Sequence, residues 1–201
     1  RNSAEVAHRI VLYAPLYLSS YCTNHCTYCA FRYPNRIQRA HLDRGEVLRQ
    51  AQFLRQQGLR HLLLVAGDFP KLTSMEYFAQ IIKDLSDEGF SVGVEIAGQS
   101  TASYVELVRA GACGVALYQE TYDEQLYARY HPRGSKARFD WRLEALERAA
   151  EAGMPRLGLG VLLGLGEPVK DVLAMIRHGQ YLHSRFPDVM LAFSLPRIYG
   201  A

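Results

Sequence analysis

The stretch VLYAPLYLSSYCTNHCTYC, Val11–Cys29, sets an apolar run of strand length directly before three cysteines spaced CxxxCxxC. Cys22, Cys26 and Cys29 are three of only four cysteines in 201 residues; the fourth, Cys113, stands alone in AGACGVAL. Thiolates this close together suit a soft metal: zinc, cuprous copper or an iron–sulfur cluster. A structural zinc site wants four closed ligands. Cys113 precedes a later apolar run, which puts it at the opposite end of a parallel sheet. His25 lies inside the motif, too tightly placed to close a tetrahedron easily, and His131 is distant in sequence. A four-iron cluster held by three cysteines keeps one iron open to a small molecule. Three readings stand at this point: an open-site cluster, a zinc-stabilised βα binding domain completed by His131 or by a partner chain, and no metal at all. Disulfide frameworks belong to short secreted chains, so this cysteine usage points to a reducing, cytoplasmic setting.

Beyond the motif, apolar runs alternate with amphipathic stretches. The runs are Val11–Leu18, His61–Ala66, Ser91–Ala97, Gly114–Tyr118, Leu157–Leu163 and Val189–Leu195, each of strand length and read as buried on both faces. The stretches between them read as helices over Arg44–Gly58, Ser74–Gly89, Ser100–Gly111, Phe139–Gly153 and Val169–Arg185. Ser74 is a candidate cap, and Gly58 and Gly89 are helix stops. In the first helix Val47, Ala51, Phe53 and Leu54 are assigned to one side. Strand, helix, strand, repeated, means βαβ units and a parallel sheet, either open and doubly wound or most of a (β/α) barrel. In both, chemistry sits at the C-terminal ends of the strands. The chain is read as one domain, residues 1–201, and as a fragment truncated at both ends.

The loops after the strands carry the candidate site. Gly67 and Asp68 follow the second run. Glu95 sits inside the third, where an acid is costly unless paired. Glu120 follows the fourth, and Arg142 starts a helix beyond it. Together these two offer both signs to a zwitterion, Arg142 as a bidentate fork. The loop HPRGSK, with Arg133 and Lys136, reads as solvated. GLGVLLGLGE, Gly158–Glu167, includes Gly164 and allows close backbone approach to a flat ligand. It lacks the Lys-Ser/Thr of a P-loop, and no Gly-x-Gly-x-x-Gly opens a helix after the first strand. Composition is that of a globular chain: 49% hydrophobic, 21% charged, net charge +3. It gives no prior for nucleic-acid binding, and no run of about 18 apolar residues marks a membrane span.

CxxxCxxC after the first strand of a βα repeat resembles the radical S-adenosylmethionine (radical SAM) superfamily. The segments from Leu12 to Asp43, LLLVAGD, LYQETYDEQLYARYHPRGSKARFDWRLE and LGLGVLLGL resemble its aromatic amino acid lyase branch, and within it the 2-iminoacetate synthase family. The resemblance implies a partial TIM barrel carrying a 4Fe–4S cluster on Cys22, Cys26 and Cys29. S-Adenosylmethionine would be held by Gly67, Asp68, Glu95, Glu120, Arg142, Gly164 and the aromatic Tyr28. Tyr17 and Arg197 match positions near the substrate. The implied reaction is reductive cleavage of S-adenosylmethionine to a 5′-deoxyadenosyl radical. That radical takes hydrogen from the amino nitrogen of L-tyrosine, and the Cα–Cβ bond breaks to give p-cresol and 2-iminoacetate for the thiazole of thiamin. The sisters are the tyrosine lyase of hydrogenase maturation and a tryptophan lyase. Implied partners are a reductant such as flavodoxin or ferredoxin, and a thiazole synthase. The sequence departs from the pattern at Ala30 in place of Gly, Asp68 in place of Glu, and Gly98-Gln99 in place of a Pro-containing stretch.

Overall fold

The computed structural model describes residues 11–198; the first ten and last three residues of the expected domain lie outside it. The first half runs β1 (Tyr13–Ser19), α1 (Arg44–Gln56), β2 (His61–Ala66), α2 (Met75–Asp87), β3 (Ser91–Glu95), α3 (Thr101–Arg109) and β4 (Ala112–Ala116). It continues through α4 (Glu124–Tyr130), α5 (Phe139–Leu143), α6 (Ala145–Glu151), β5 (Arg156–Gly160), α7 (Pro168–Arg185) and β6 (Met190–Ser194). All strand pairs are parallel and the order across the sheet is β1-β2-β3-β4-β5-β6. Sequential order with no reversal is the wall of a (β/α) barrel; a doubly wound sheet would switch direction partway.

The strands are not buried on both faces as expected. Leu16, Leu18, Leu62, Leu64, Val92 and Val94 are buried in the layer that carries the helices. The alternating residues face the other way. Tyr17 pairs in register with Val65, and Val65 with Glu95, so one inward row crosses three strands. Tyr17 is 56% exposed. The strands look uniformly apolar in sequence because their inner face carries Tyr, Leu and Val as well as the one acid.

Helix starts follow local chemistry. Asp43 and Glu46 form a reciprocal capping box at α1. Ser74 and Ser100 accept from the third residue of α2 and α3, and Glu167 caps α7 ahead of Pro168. Gly58 and Gly89, read as stops, adopt φ of 83° each, which a side chain would oppose. Two helical expectations are corrected. Phe53 points outward, 61% exposed, while Val47 and Ala51 are fully buried. The helix expected over Phe139–Gly153 breaks at Glu144. There the Trp141 carbonyl, which an unbroken helix would give to the Ala145 N–H, accepts from the Arg148 guanidinium. α4 is a further short helix, beyond those expected, and Asp123 caps it. No helix among the described residues is long and apolar enough to cross a membrane.

These placements predict a contrast in stability. Leu64→Ala should cost about 3 kcal/mol by urea denaturation, through lost burial and a residual cavity. Phe53→Ala should stay within about 0.5 kcal/mol of the native chain.

Candidate active site

A cavity of about 290 Å³ opens at the C-terminal ends of β1–β4. Ten of the twelve expected site residues line it: the three cysteines, Tyr17, Tyr28, Gly67, Asp68, Glu95, Glu120 and Arg142. Gly164 and Arg197 are not in its wall. They lie beside each other past β5 and β6, where Leu163 and Arg197 form an isolated parallel bridge and Ile198 N donates to Leu163 O at 3.0 Å.

The cysteine loop is moulded by its neighbours. Thr23 N donates to Asp68 O at 2.8 Å, His25 N to Arg133 O at 3.1 Å and Thr27 N to Tyr130 O at 3.0 Å. The β2 loop approaches so closely that a Cβ on Gly67 would stand 3.0 Å from the Tyr21 carbonyl carbon and 3.1 Å from Cys22 Cβ. Only glycine admits that approach. The Cys26 thiol is pushed up to about 11, by burial first and by Lys136 in opposition. Two N–H groups of Asn24 donate to Cys22 Sγ, at 3.4 and 3.7 Å.

The donor set fits an open-site cluster better than a closed single ion. Among the described residues no three His, Cys, Asp or Glu side chains converge on one ion position. Cys113 lies in β4 at the other end of the sheet, bonded to Ser91 Oγ and Val92 O. His131 is fully engaged. Its Nδ1 is 2.8 Å from Tyr127 O, which can only accept, so that nitrogen carries the proton; Nε2, 2.8 Å away, accepts from Tyr28 OH. The zinc reading therefore loses His131, the fourth ligand it named within the chain.

The electrostatic centre is Glu120. It is the one described non-glycine residue with positive φ, 73°, and it is buried. That conformation is costly for glutamate and is held from both sides. Leu162 N donates to Glu120 O at 2.8 Å, and Asp171 of α7 accepts from Thr121 Oγ1 and Tyr122 N at 3.0 and 2.8 Å. Lys136 Nζ lies 2.6 Å from the Glu120 carboxylate, and Arg142 lies 3.7 Å from it while donating to Tyr118 O. Burial alone would raise this carboxyl, but Lys136 and then Arg142 outweigh it and hold it below the ordinary glutamate range. Lys136 also donates to Tyr28 OH at 3.0 Å. A directed chain results: Lys136 to Tyr28, Tyr28 to His131, His131 to Tyr127. Lys136 was assigned to a solvated loop, and that is corrected: its side chain is 15% exposed and lines the cavity. Glu95 has no hydrogen-bond or ion-pair partner among the described residues, and burial, then Glu120, raises its carboxyl. Asp68 is held by Asn24 Nδ2 at 3.1 Å and by Ser135 Oγ.

Asn24, Ser135, Lys136 and Trp141 line the cavity without having been singled out as site residues. Several of their contacts join segments from 43 to 112 residues apart, and no local spacing announces them.

A sequential parallel barrel wall with three cysteines and a cluster of charge at its mouth defines a class, and comparison agrees. The chain belongs to the Radical SAM superfamily, whose family model matches residues 16–179. Membership brings the family's cofactor pair, a 4Fe–4S cluster and S-adenosylmethionine. The 2-iminoacetate synthase of Escherichia coli K12 is 38% identical over 190 residues, 94% of this chain and 50% of that protein. The X-ray structure of the FeFe-hydrogenase maturase HydG from Carboxydothermus hydrogenoformans superposes with a TM-score of 0.91 at 38% identity, over 96% of this chain and 46% of that one. The crystal structure of methylornithine synthase (PylB) gives 0.78 at 26% identity, over 94% and 55%. The chain spans about half the length of the relatives it matches.

The Glu120 pair predicts a pH signature. With its carboxyl depressed, Glu120 contributes stability that is present above about 4.3, the unfolded glutamate value, and is lost as pH falls through the folded one. Lys136→Met removes the larger opposing cation and should cost about 3 kcal/mol at neutral pH. That deficit should shrink toward pH 4 in denaturation curves, because a protonated Glu120 no longer needs the ammonium.

Proposed function

We propose that residues 1–201 form a radical SAM core acting as a tyrosine lyase, cleaving the Cα–Cβ bond of L-tyrosine to p-cresol and 2-iminoacetate. The supporting observation is the convergence of the three cysteines, both charges of the Glu120–Arg142 set and the unpaired Glu95 on one cavity, in a chain 38% identical to a 2-iminoacetate synthase. Cys22, Cys26 and Cys29 would hold the cluster, leaving one iron to S-adenosylmethionine. When bound, the pair supplies a 5′-deoxyadenosyl radical able to take a hydrogen atom from the substrate's amino nitrogen.

The chain's own groups orient and shield. Arg142 offers its fork to a carboxylate, and Glu120 and Glu95 face ammonium or hydroxyl donors. Gly67 lends backbone at close approach, and Tyr28, fixed by Lys136 and His131, lines the cavity beside the cysteines. Tyr17, edge-on to Phe31 with ring centroids 6.2 Å apart, gives an aromatic wall suited to a phenol ring. Gly164 and Arg197 extend the site from the β5–β6 end, Arg197 toward a substrate carboxylate. A reductant of the flavodoxin or ferredoxin kind supplies the electron, and a thiazole synthase takes the product. The sister reading, a hydrogenase-maturation type of tyrosine lyase, is favoured by the equal identity and the 0.91 TM-score of HydG; it shares the same cleavage.

Anaerobic reconstitution should give a chain carrying about four irons and four sulfides per protein, as one cubane requires. With reductant, S-adenosylmethionine and tyrosine it should release p-cresol and 5′-deoxyadenosine. One zinc and no sulfide by elemental analysis would overturn the proposal, as would tryptophan turning over with tyrosine inert. Arg142→Met should weaken S-adenosylmethionine binding by about 2 kcal/mol in calorimetry, the worth of a hydrogen bond to a charged group.

A further inference from the structure

Asn24 stands inside CxxxCxxC, between the first two cysteines, and is 4% exposed. A buried asparagine must place every polar atom, and this one does. Its carbonyl oxygen accepts from Tyr33 N at 2.8 Å. Its side-chain Oδ1 accepts from Lys136 N at 2.9 Å and lies 3.4 Å from Ser135 Oγ, whose proton goes to Asp68. One Nδ2 hydrogen goes to Asp68 Oδ2 at 3.1 Å and the other to Cys22 Sγ at 3.7 Å; the backbone N–H goes to the same sulfur at 3.4 Å. Gly134 packs against it so closely that a Cβ there would stand 2.8 Å from Asn24 Cα, so only glycine admits this approach. Asn24 is the only described residue whose side chain donates to a motif cysteine and also bonds both facing loops.

We propose that Asn24 is a positioning residue that sets the electron affinity of the cysteine site through Cys22. The proposal rests on the cluster reading above. An N–H aimed at a ligand sulfur stabilises the state with more negative charge on that sulfur, so it raises the reduction potential. Asp68 fixes the aim: its carboxylate takes one amide hydrogen and orients the amide plane so that the other meets Cys22. The shorter acid at position 68 thus has work within the protein, turned toward Asn24 and Ser135.

The geometry supplies a test that separates electronics from architecture. In the double swap Asn24→Asp with Asp68→Asn, the contact between the two side chains is kept with donor and acceptor exchanged. Lys136 N still finds a carboxylate oxygen, and Ser135 still finds an acceptor. The side-chain N–H on Cys22 Sγ is replaced by a carboxylate oxygen, so the donor is lost and the charge of position 68 moves to position 24. After anaerobic reconstitution, the swap should hold native amounts of iron and sulfide, yet its potential in an EPR-monitored redox titration should be lower than that of the unaltered chain. Asn24→Ala, which lacks the amide without adding charge, should shift the same way and less. Asp68→Asn alone, which leaves the Asn24 donor in place, should shift least. A native potential in the iron-replete swap overturns the proposal. Loss of iron from both the swap and Asn24→Ala also overturns it, since the role would then be structural. Failure of the unaltered chain to take up iron instead defeats the cluster reading on which it rests.

Discussion

A buried carboxylate in a left-handed backbone conformation is the constraint around which the mouth of this sheet is arranged. Glu120 leaves β4 at φ 73° and enters the cavity, where an isolated charge would cost more than the fold can spare. Lys136 and Arg142 come from the connection between α4 and α6 to match it, and their arrival fixes the rest. Lys136 can reach Glu120 only if the segment carrying it lies against the cysteine loop, and the bonds from His25, Thr27 and Asn24 describe that contact. The ammonium then orders Tyr28, which belongs to the motif itself. Through Lys136 the ion pair at Glu120 and the bond to Tyr28 thus link the end of the fourth strand to the loop after the first.

Legibility in the sequence follows the range of the forces involved. The six parallel strands and the helices between them are visible because burial against helices selects apolar runs and because caps are local: Asp43 with Glu46, Ser74, Ser100, and Gly58 and Gly89 each act within a few residues. Facing is less visible. A barrel strand has an inner row that is also apolar, so Tyr17 and Val65 look like core although they face the cavity. Phe53 reads as buried from its company, yet Val47 and Ala51 take the inward stripe. The break at Glu144 coincides with Arg148 bonding the Trp141 carbonyl, and no Gly or Pro there announces it.

The site divides the same way. The cysteines, Gly67, Asp68, Glu95, Glu120 and Arg142 are found by looking after each strand, since parallel topology gathers those ends. Lys136 and Asn24 meet across 112 residues, and nothing in HPRGSK sets it apart from a solvated loop. Gly164 and Arg197 obey the same rule of position but stand at the last strands, where Leu163 bridges to Arg197 and the described part of the wall ends.

The protonation states at the mouth bear on what chemistry suits it. His131 is held down to about 4, by burial first and by Lys136 next, and its single ring proton is committed to Tyr127. Tyr28 and Tyr127 have phenols pushed above their usual range, chiefly by burial, and Glu120 is held below its own. Each of these groups keeps one state across the neutral range, so the chain from Lys136 to Tyr127 cannot pass a proton along without breaking its own directed bonds. General acid–base catalysis wants groups poised near the working pH; these are moved away from it. Around Glu120 the mouth therefore holds charge still about whatever is bound, while Glu95, its carboxyl raised chiefly by burial, moves the other way.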